Sequence, residues 1–252
     1  MSLQGKVAIV LGASAERGTG WAIAEELARQ GAKVAVAARR RDKLDVLAKR
    51  INGAAFTCDS AKPTDIVALI DGVREQMGPI DIAVNCAASR LHSLIADLSA
   101  EQLQASLDTN FLAHFHFVKH SAANMRDGGS IILISSYSAV QPVLPHAGYA
   151  CAKAATDCLV RYAALEYGPR GIRVNSIQPG PIKSEMVQDA FSRPGVEAAL
   201  AREIPLGRVG LPEDYAYTVA WLAGPAFVTG LNLPVLGGGQ LTRMPRPDEL
   251  PK

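Results

Sequence analysis

Lys6-Val-Ala-Ile-Val-Leu11, Gly12-Ala-Ser-Ala-Glu-Arg-Gly18-Thr-Gly20 and Trp21-Ala-Ile-Ala-Glu-Glu-Leu-Ala-Arg-Gln30 follow one another without a break near the start of the chain. The first is a short apolar run rich in β-branched residues, the pattern of a strand buried on both faces. The third carries a helical pattern that Gly31 ends, and Lys33-Val-Ala-Val-Ala-Ala38 then reads as a second strand. A strand, a glycine turn, a helix and a strand in this order are the context a dinucleotide site needs. Glycines let the backbone approach a pyrophosphate, and the helix amino terminus offers free N–H donors and partial positive charge.

Strand and helix patterns keep alternating to the carboxyl end, which predicts an α/β fold with a parallel sheet covered by helices on both faces. At 252 residues and 48% hydrophobic, the chain can bury one large core in a single domain. The formal net charge is only +2, and no aromatic stacking set accompanies the basic run Arg39-Arg40-Arg41-Asp-Lys43, which argues against a nucleic-acid partner. The uncharged stretch from Thr218 to Leu241 is long enough for a membrane span, yet its glycines and prolines read as helix, turn and final strand. A plausible strand starts within the first few residues, so no signal peptide is expected.

Cys58, Cys86, Cys151 and Cys158 lack metal-type or secreted-domain spacing. They are expected to be mostly small buried thiols in a reducing, cytoplasmic compartment, with Cys151 facing away from the site. His116 and His120 share a helix face while His114 points elsewhere, and no acidic or cysteine partner accompanies them, so no metal is expected. That helix is expected in a subunit contact or partly solvated.

Tyr149-Ala-Cys-Ala-Lys153 puts a phenol and an ammonium one turn apart on one helix face. A free tyrosine loses its proton only near pH ~10. A neighbouring ammonium favours the phenolate, so the spacing predicts that Lys153 lowers the tyrosine pKa and readies it for proton transfer. Upstream, Ser130-Ile-Ile-Leu-Ile-Ser135-Ser136 reads as another buried strand. Ser136 stands at its carboxyl end, where open α/β sheets bind ligands. A hydroxyl there can donate to a carbonyl oxygen that gains charge; the other reading is that both serines only end the strand and start a turn. Asn110, in Asp108-Thr-Asn110-Phe111, either holds a proton-relaying water or simply bonds to backbone.

Together these segments resemble the short-chain dehydrogenase/reductase family from about Gly5 to about Leu241, in particular its members of the 3-oxoacyl-acyl-carrier-protein reductase type. Gly207-Arg-Val-Gly-Leu-Pro-Glu-Asp214 and Val228-Thr-Gly230 match further landmarks of that family. The resemblance implies a single-domain, doubly wound Rossmann fold with about seven parallel strands. That domain would span residues 1–241, with a substrate loop at about 182–205 and a polar, proline-rich tail at 242–252. The implied catalytic group is Asn110, Ser136, Tyr149 and Lys153. Implied cofactor contacts are Gly12, Ser14, Arg17, Gly18, Thr19 and Gly20 in the glycine turn, Arg39 after the second strand, and Asp59 against the adenine. Asn85 and Ala87 would lie under the cofactor, Tyr149 and Lys153 beside it. Pro179, Gly180, Ile182 and Ser184 would meet the nicotinamide amide, Ser184 standing where a threonine is usual. A homodimer or homotetramer is implied as well.

The chain departs from the family in its glycine turn and at Cys86, Ala88 and Leu236. Its glycine turn is two residues longer than Gly-x-x-x-Gly-x-Gly. That length suggests the enoyl-thioester reductase branch, which however spaces its tyrosine and lysine farther apart, and Thr156 stands where such a lysine would fall. Asn85-Cys86-Ala87-Ala88 replaces Asn-Asn-Ala-Gly, and Leu236 replaces an aspartate. The second strand ends with no acid to accept from a ribose 2′-hydroxyl. Arg39 there can clamp a 2′-phosphate, with Arg17 as a second basic position, so the cofactor is expected to be NADP(H).

The expected activity is NADP(H)-dependent interconversion of a carbonyl and a secondary alcohol, with Tyr149 as acid/base. The substrate walls are expected at 89–92, 137–146 and 182–191, where apolar side chains, Met186 among them, mix with Arg90, His92 and His146. They suit a medium-sized ketone such as a 3-oxoacyl thioester. The alternatives are an enoyl-thioester reductase, or a non-catalytic NADP-binding regulator, which would not need the acid. The tail is expected to be loose or draped over a neighbour.

Overall fold

Both faces of the first strand are covered, and this sets the architecture. In β1 (Val7–Leu11), Ala8 and Val10 pack with Trp21 and Leu27 of α1 (Thr19–Arg29), Leu44 of α2 (Arg41–Ile51) and Tyr215 of the helix Pro212–Ala223. Val7, Ile9 and Leu11 pack on the other side, with Ile66 of α3 (Pro63–Met77), Phe117 of α5 (Ala113–Asn124) and Val160 of α6 (Ala147–Tyr167). Successive strand side chains point to opposite faces, so a strand between two helical layers must be apolar at every position. Each such aliphatic side chain contributes about 1.5–3 kcal/mol by burial.

The computed structural model describes residues 2–251, apart from the side chains of Met186 and Ala190. Its remaining strands are β2 (Lys33–Ala38), β3 (Ala54–Thr57), β4 (Ile80–Asn85), β5 (Met125–Ile134), β6 (Arg173–Pro179) and β7 (Asn232–Val235). All pair in parallel in the order β3-β2-β1-β4-β5-β6-β7. The fold is the single doubly wound Rossmann sheet, with helices on both sides. Its strand order reverses between β1 and β4, and at such a switch point a crevice opens outside the carboxyl ends of the strands.

Helix α4 (Ala100–Leu107) starts with a capping box in which Ser99 accepts from Gln102. It runs into α5 through a π-helical turn, Asp108–Leu112, a feature that adds a residue to the helix and often marks functional sites. Asn110 in that turn and His114 one step beyond are both fully buried.

Two expectations need correcting. Cys58 is buried and Cys86 half-buried, but Cys151 and Cys158 are exposed, because both fall on the solvent face of α6 together with Tyr162 and Leu165. The tail is not loose but packs on its own chain. Its apolar side chains Met244, Pro245, Pro247 and Leu250 line the same crevice, while Arg243 pairs with Glu203 and Glu249 and the Thr242 carbonyl accepts from Gln141. Among the described residues no helix is long and apolar enough to cross a membrane, and no cluster of metal-binding side chains occurs.

Candidate active site

A cleft of about 540 Å³ at the carboxyl edge of the sheet gathers Gly12, Gly18, Thr19, Gly20, Ser136, Tyr149, Lys153, Pro179, Gly180, Ile182 and Ser184. The other predicted residues are not in its lining. Ser14 accepts from Arg40 through both its hydroxyl and its carbonyl, and the Arg17 carbonyl accepts from the Glu185 amide. Arg39 is exposed at the end of β2. Asp59 accepts from the Ala61 amide in the turn after β3. Asn85 Oδ1 accepts from the Ala87 amide at 2.9 Å, and its Nδ2 is buried without a partner among the described residues. The expected walls are present through Arg90, His92, Val143, His146, Val187 and Phe191; the Met186 side chain lies outside the described residues.

The cleft fits a dinucleotide. Gly12, at φ 90°, passes so close to the chain after β4 that a Cβ would stand 2.6 Å from the Ala87 nitrogen. The first turn of α1 contains no acid and, among the described residues, has no side-chain cap. Its orphan N–H groups and positive dipole end are therefore left for an anionic group such as a pyrophosphate.

Ser136, the first residue past Ser135 at the end of β5, accepts from the Ser138 amide at 3.2 Å, and the two hydroxyls lie 2.8 Å apart. The Ser136 hydroxyl is also near enough to the Tyr149 phenol to favour its ionised form. The chain enters α6 with Gly148 pressed on Leu91, where a Cβ would come within 2.8 Å, and this sets Tyr149 and Lys153 on the cleft side. Lys153 is fully buried. Its Nζ sits 5.8 Å from the Tyr149 ring centre, donates to the Ile134 carbonyl at 2.8 Å and lies 3.2 Å from His114 Nε2.

Charge behaves differently here from the expectation. Burial pushes the Tyr149 phenol up to about 12, with the Ser136 hydroxyl acting the other way, while burial draws Lys153 down to about 8. Loss of water penalises both charged forms, and at this separation it outweighs the pull of ammonium on phenolate. The chain's own groups thus keep Tyr149 protonated at neutral pH, as a proton donor requires.

Asn110 takes the backbone-bonding role. Its Nδ2 donates to the Ser89 carbonyl at 3.0 Å and to Ser106 Oγ at 3.1 Å, and its Oδ1 accepts from the Ser89 amide at 3.1 Å. Its own carbonyl accepts from the Thr156 hydroxyl at 2.8 Å. It therefore ties down the loop after β4, and the side chain that meets Lys153 is His114.

Sequence reasoning missed three features. His114 lies four residues past Asn110, a helical spacing that points two polar groups the same way. Arg40 bonds Ser14 and also Glu185 at 2.8 Å, joining the glycine turn to the loop after β6. At the mouth, His92 and His146 face each other with their Nε2 atoms 2.7 Å apart. The Nδ1 of His146 lies 3.3 Å from the Val143 carbonyl and must donate there, so its Nε2 accepts from His92.

The family model described as enoyl-(acyl carrier protein) reductase matches residues 12–240. The chain belongs to the short-chain dehydrogenase/reductase family. Within that family, the hydroxynaphthalene reductase-like protein Arp2 of Metarhizium majus is 35% identical over 262 residues, covering 96% of this chain and 97% of its own. The 3-oxoacyl-(acyl-carrier-protein) reductase FabG of Vibrio cholerae is 34% identical, over 94% of this chain and 98% of its own. A solved structure, a blue fluorescent protein from a metagenomic library in complex with NADPH, superposes with a TM-score of 0.87 at 32% identity, covering 95% and 99% of the two chains. Membership in the short-chain dehydrogenase/reductase family makes this an oxidoreductase of alcohol and carbonyl groups that uses a nicotinamide cofactor.

Proposed function

We propose that the protein interconverts a ketone and a secondary alcohol with NADP(H), using Tyr149 as the acid/base. The observation that carries this reading is that Ser136 and Tyr149 line one cleft wall together, with the buried Lys153 5.8 Å from the tyrosine ring centre. When bound, the nicotinamide supplies or accepts the hydride. Ser136 and Tyr149 aim two hydroxyl donors at one substrate oxygen and stabilise the charge that develops there. Tyr149 gives that oxygen its proton, and Lys153 is the nearby positive charge that offsets the phenolate left behind. The backbone of Gly12, Gly18, Thr19 and Gly20 holds the pyrophosphate, with Pro179, Gly180, Ile182 and Ser184 at the nicotinamide end.

Residues 1–241 act as the cofactor-binding domain, 182–205 as its substrate loop, and the tail from 242 as part of the substrate wall. Among the described residues no Asp or Glu lines the cleft, whereas Arg90, Lys153 and Arg193 do, which suits a medium-sized ketone with a neutral or acidic tail, a 3-oxoacyl thioester included. Exposed Leu112 in the π turn, Phe115 on α5 and Leu165 on α6 suit a homodimer or homotetramer, and the unpaired cysteines suit a cytoplasmic setting.

Arg39 is the 2′-phosphate ligand, because Arg40 is committed to Ser14 and Glu185. Arg39→Ala is expected to raise the NADPH KM about 10- to 100-fold and the NADH KM less than about twofold, the loss of charge-assisted hydrogen bonds to a phosphate. Steady-state kinetics with both cofactors measures this. The reading as a whole is tested by a panel of ketones and 3-oxoacyl and enoyl thioesters, run with NADPH and NADH and followed by nicotinamide absorbance. Cofactor consumption with a ketone, faster with NADPH, is expected. Binding of NADPH without consumption across the panel would sink it in favour of a regulator, and turnover of the enoyl thioesters alone would favour the enoyl reductase.

A further inference from the structure

We propose that His114 is a positioning residue for the reaction: its Nε2 accepts an N–H of Lys153 and so holds the ammonium charged and facing the cleft. This rests on the reading of Tyr149 and Lys153 given above. Lys153 has three N–H donors. The Ile134 carbonyl takes one at 2.8 Å and His114 Nε2, at 3.2 Å, takes a second, which leaves the third for the cleft that Lys153 lines. Two fixed acceptors on different elements, β5 and α5, immobilise the end of a long flexible side chain.

An ammonium can only donate, so His114 Nε2 must be the acceptor and the ring proton must sit on Nδ1. That Nδ1 is buried with no partner among the described residues. A leucine would fill the same space without the cost of a stranded donor. The contact with Lys153 is what the imidazole gives in return. Burial and the neighbouring ammonium hold His114 well below the usual histidine range, so it stays neutral and able to accept.

The other groups that face Lys153 do not replace it. On α6, Asp157 is engaged by Gln178 at 2.7 Å and Ser176 at 3.3 Å, and Tyr149 keeps its proton. After β4, burial pushes the Cys86 thiol up to about 12. Lys153 itself is drawn down to about 8 by burial, and loss of an acceptor for its charged form lowers it further. Reduction of a carbonyl needs the ammonium, so its rate falls as pH rises through the Lys153 pKa.

The test measures the Lys153 Nζ resonance against pH in the free, ¹⁵N-lysine-labelled protein, assigned by its loss in Lys153→Met, alongside the pH profile of kcat. In His114→Leu the midpoint is expected to drop by about one pH unit, a tenfold loss of proton affinity, with the alkaline limb of kcat moving equally. His114→Gln, whose Oε1 can accept in the same place, is expected to keep both near wild type. An unmoved midpoint in the leucine variant overturns the proposal, as does an equal shift in both variants, which would mean packing alone. Should the leucine variant not fold, the glutamine variant decides: wild-type titration supports the proposal and a lowered midpoint overturns it. The resonance is read without substrate or cofactor, so an enzyme inert to every ketone would defeat the oxidoreductase reading and still leave His114 to be judged on its own.

Discussion

Tyr149→Phe is expected to lower kcat for ketone reduction about a thousandfold while changing the NADPH dissociation constant less than about twofold. The substitution keeps the ring, and with it the Lys153 ammonium 5.8 Å from its centre and the edge contact with His146 at 6.4 Å. It removes one oxygen, and that oxygen has two tasks. As the phenol beside Ser136 it carries the general-acid step, typically worth about 10²–10⁴ in rate. As one of two donors to the developing oxyanion it contributes about 10²–10³ more, though the two losses overlap and do not multiply. Lys153 does not take its place, since Ile134 and His114 hold its Nζ 5.8 Å from the Tyr149 ring centre. Steady-state rates on the best ketone and fluorescence titration with NADPH separate the two quantities. A variant that keeps more than about a tenth of the wild-type rate would remove Tyr149 from the role of acid.

What the sequence made legible was what depends on local pattern. The apolar runs of β1, β2 and the second half of β5 announce strands covered on both sides, because alternation disappears when neither face meets water. The glycine turn declares itself through its place between β1 and α1, and Ser136, Tyr149 and Lys153 through position and spacing. The missing parts depend on depth and on tertiary contacts. The four-residue step from Asn110 to His114 is readable, but that both are wholly buried follows from the π turn and from the packing of α5 on the sheet. The tyrosine pKa went the opposite way because spacing gives the distance between charges and not the water they lose. Arg39 and Arg40 are adjacent, and only their rotation decides which one turns back to Ser14. The tail's proline-rich composition hid the few apolar side chains that close one side of the cleft.

Gly12→Ala is expected to weaken NADPH binding at least about tenfold and to destabilise the fold by about 2–4 kcal/mol, combining a strained backbone with a steric clash. At φ 90° an alanine is already in a region that L side chains avoid. Its Cβ would also stand 2.6 Å from the Ala87 nitrogen and 2.7 Å from the Cys86 carbonyl carbon. Both are backbone atoms, so no side-chain rotation relieves the contact. The two segments are pinned as well, since Gly12 donates to the Ala37 carbonyl at 2.7 Å and Cys86 to the Leu11 carbonyl at 2.7 Å. Relief therefore has to spread the carboxyl ends of β1 and β4, which is the floor of the cleft. For a chain of this size the melting temperature should fall by roughly 5–15 °C. Gly78→Ala supplies the control: Gly78 has φ 97° but nothing within 4 Å of its added Cβ, so it carries the backbone strain without the clash. It is expected to melt lower than wild type by less than Gly12→Ala does, with NADPH affinity intact. If the two variants lost the same stability and both kept their affinity, the close approach of the glycine turn to the chain after β4 would not be what builds the cofactor site.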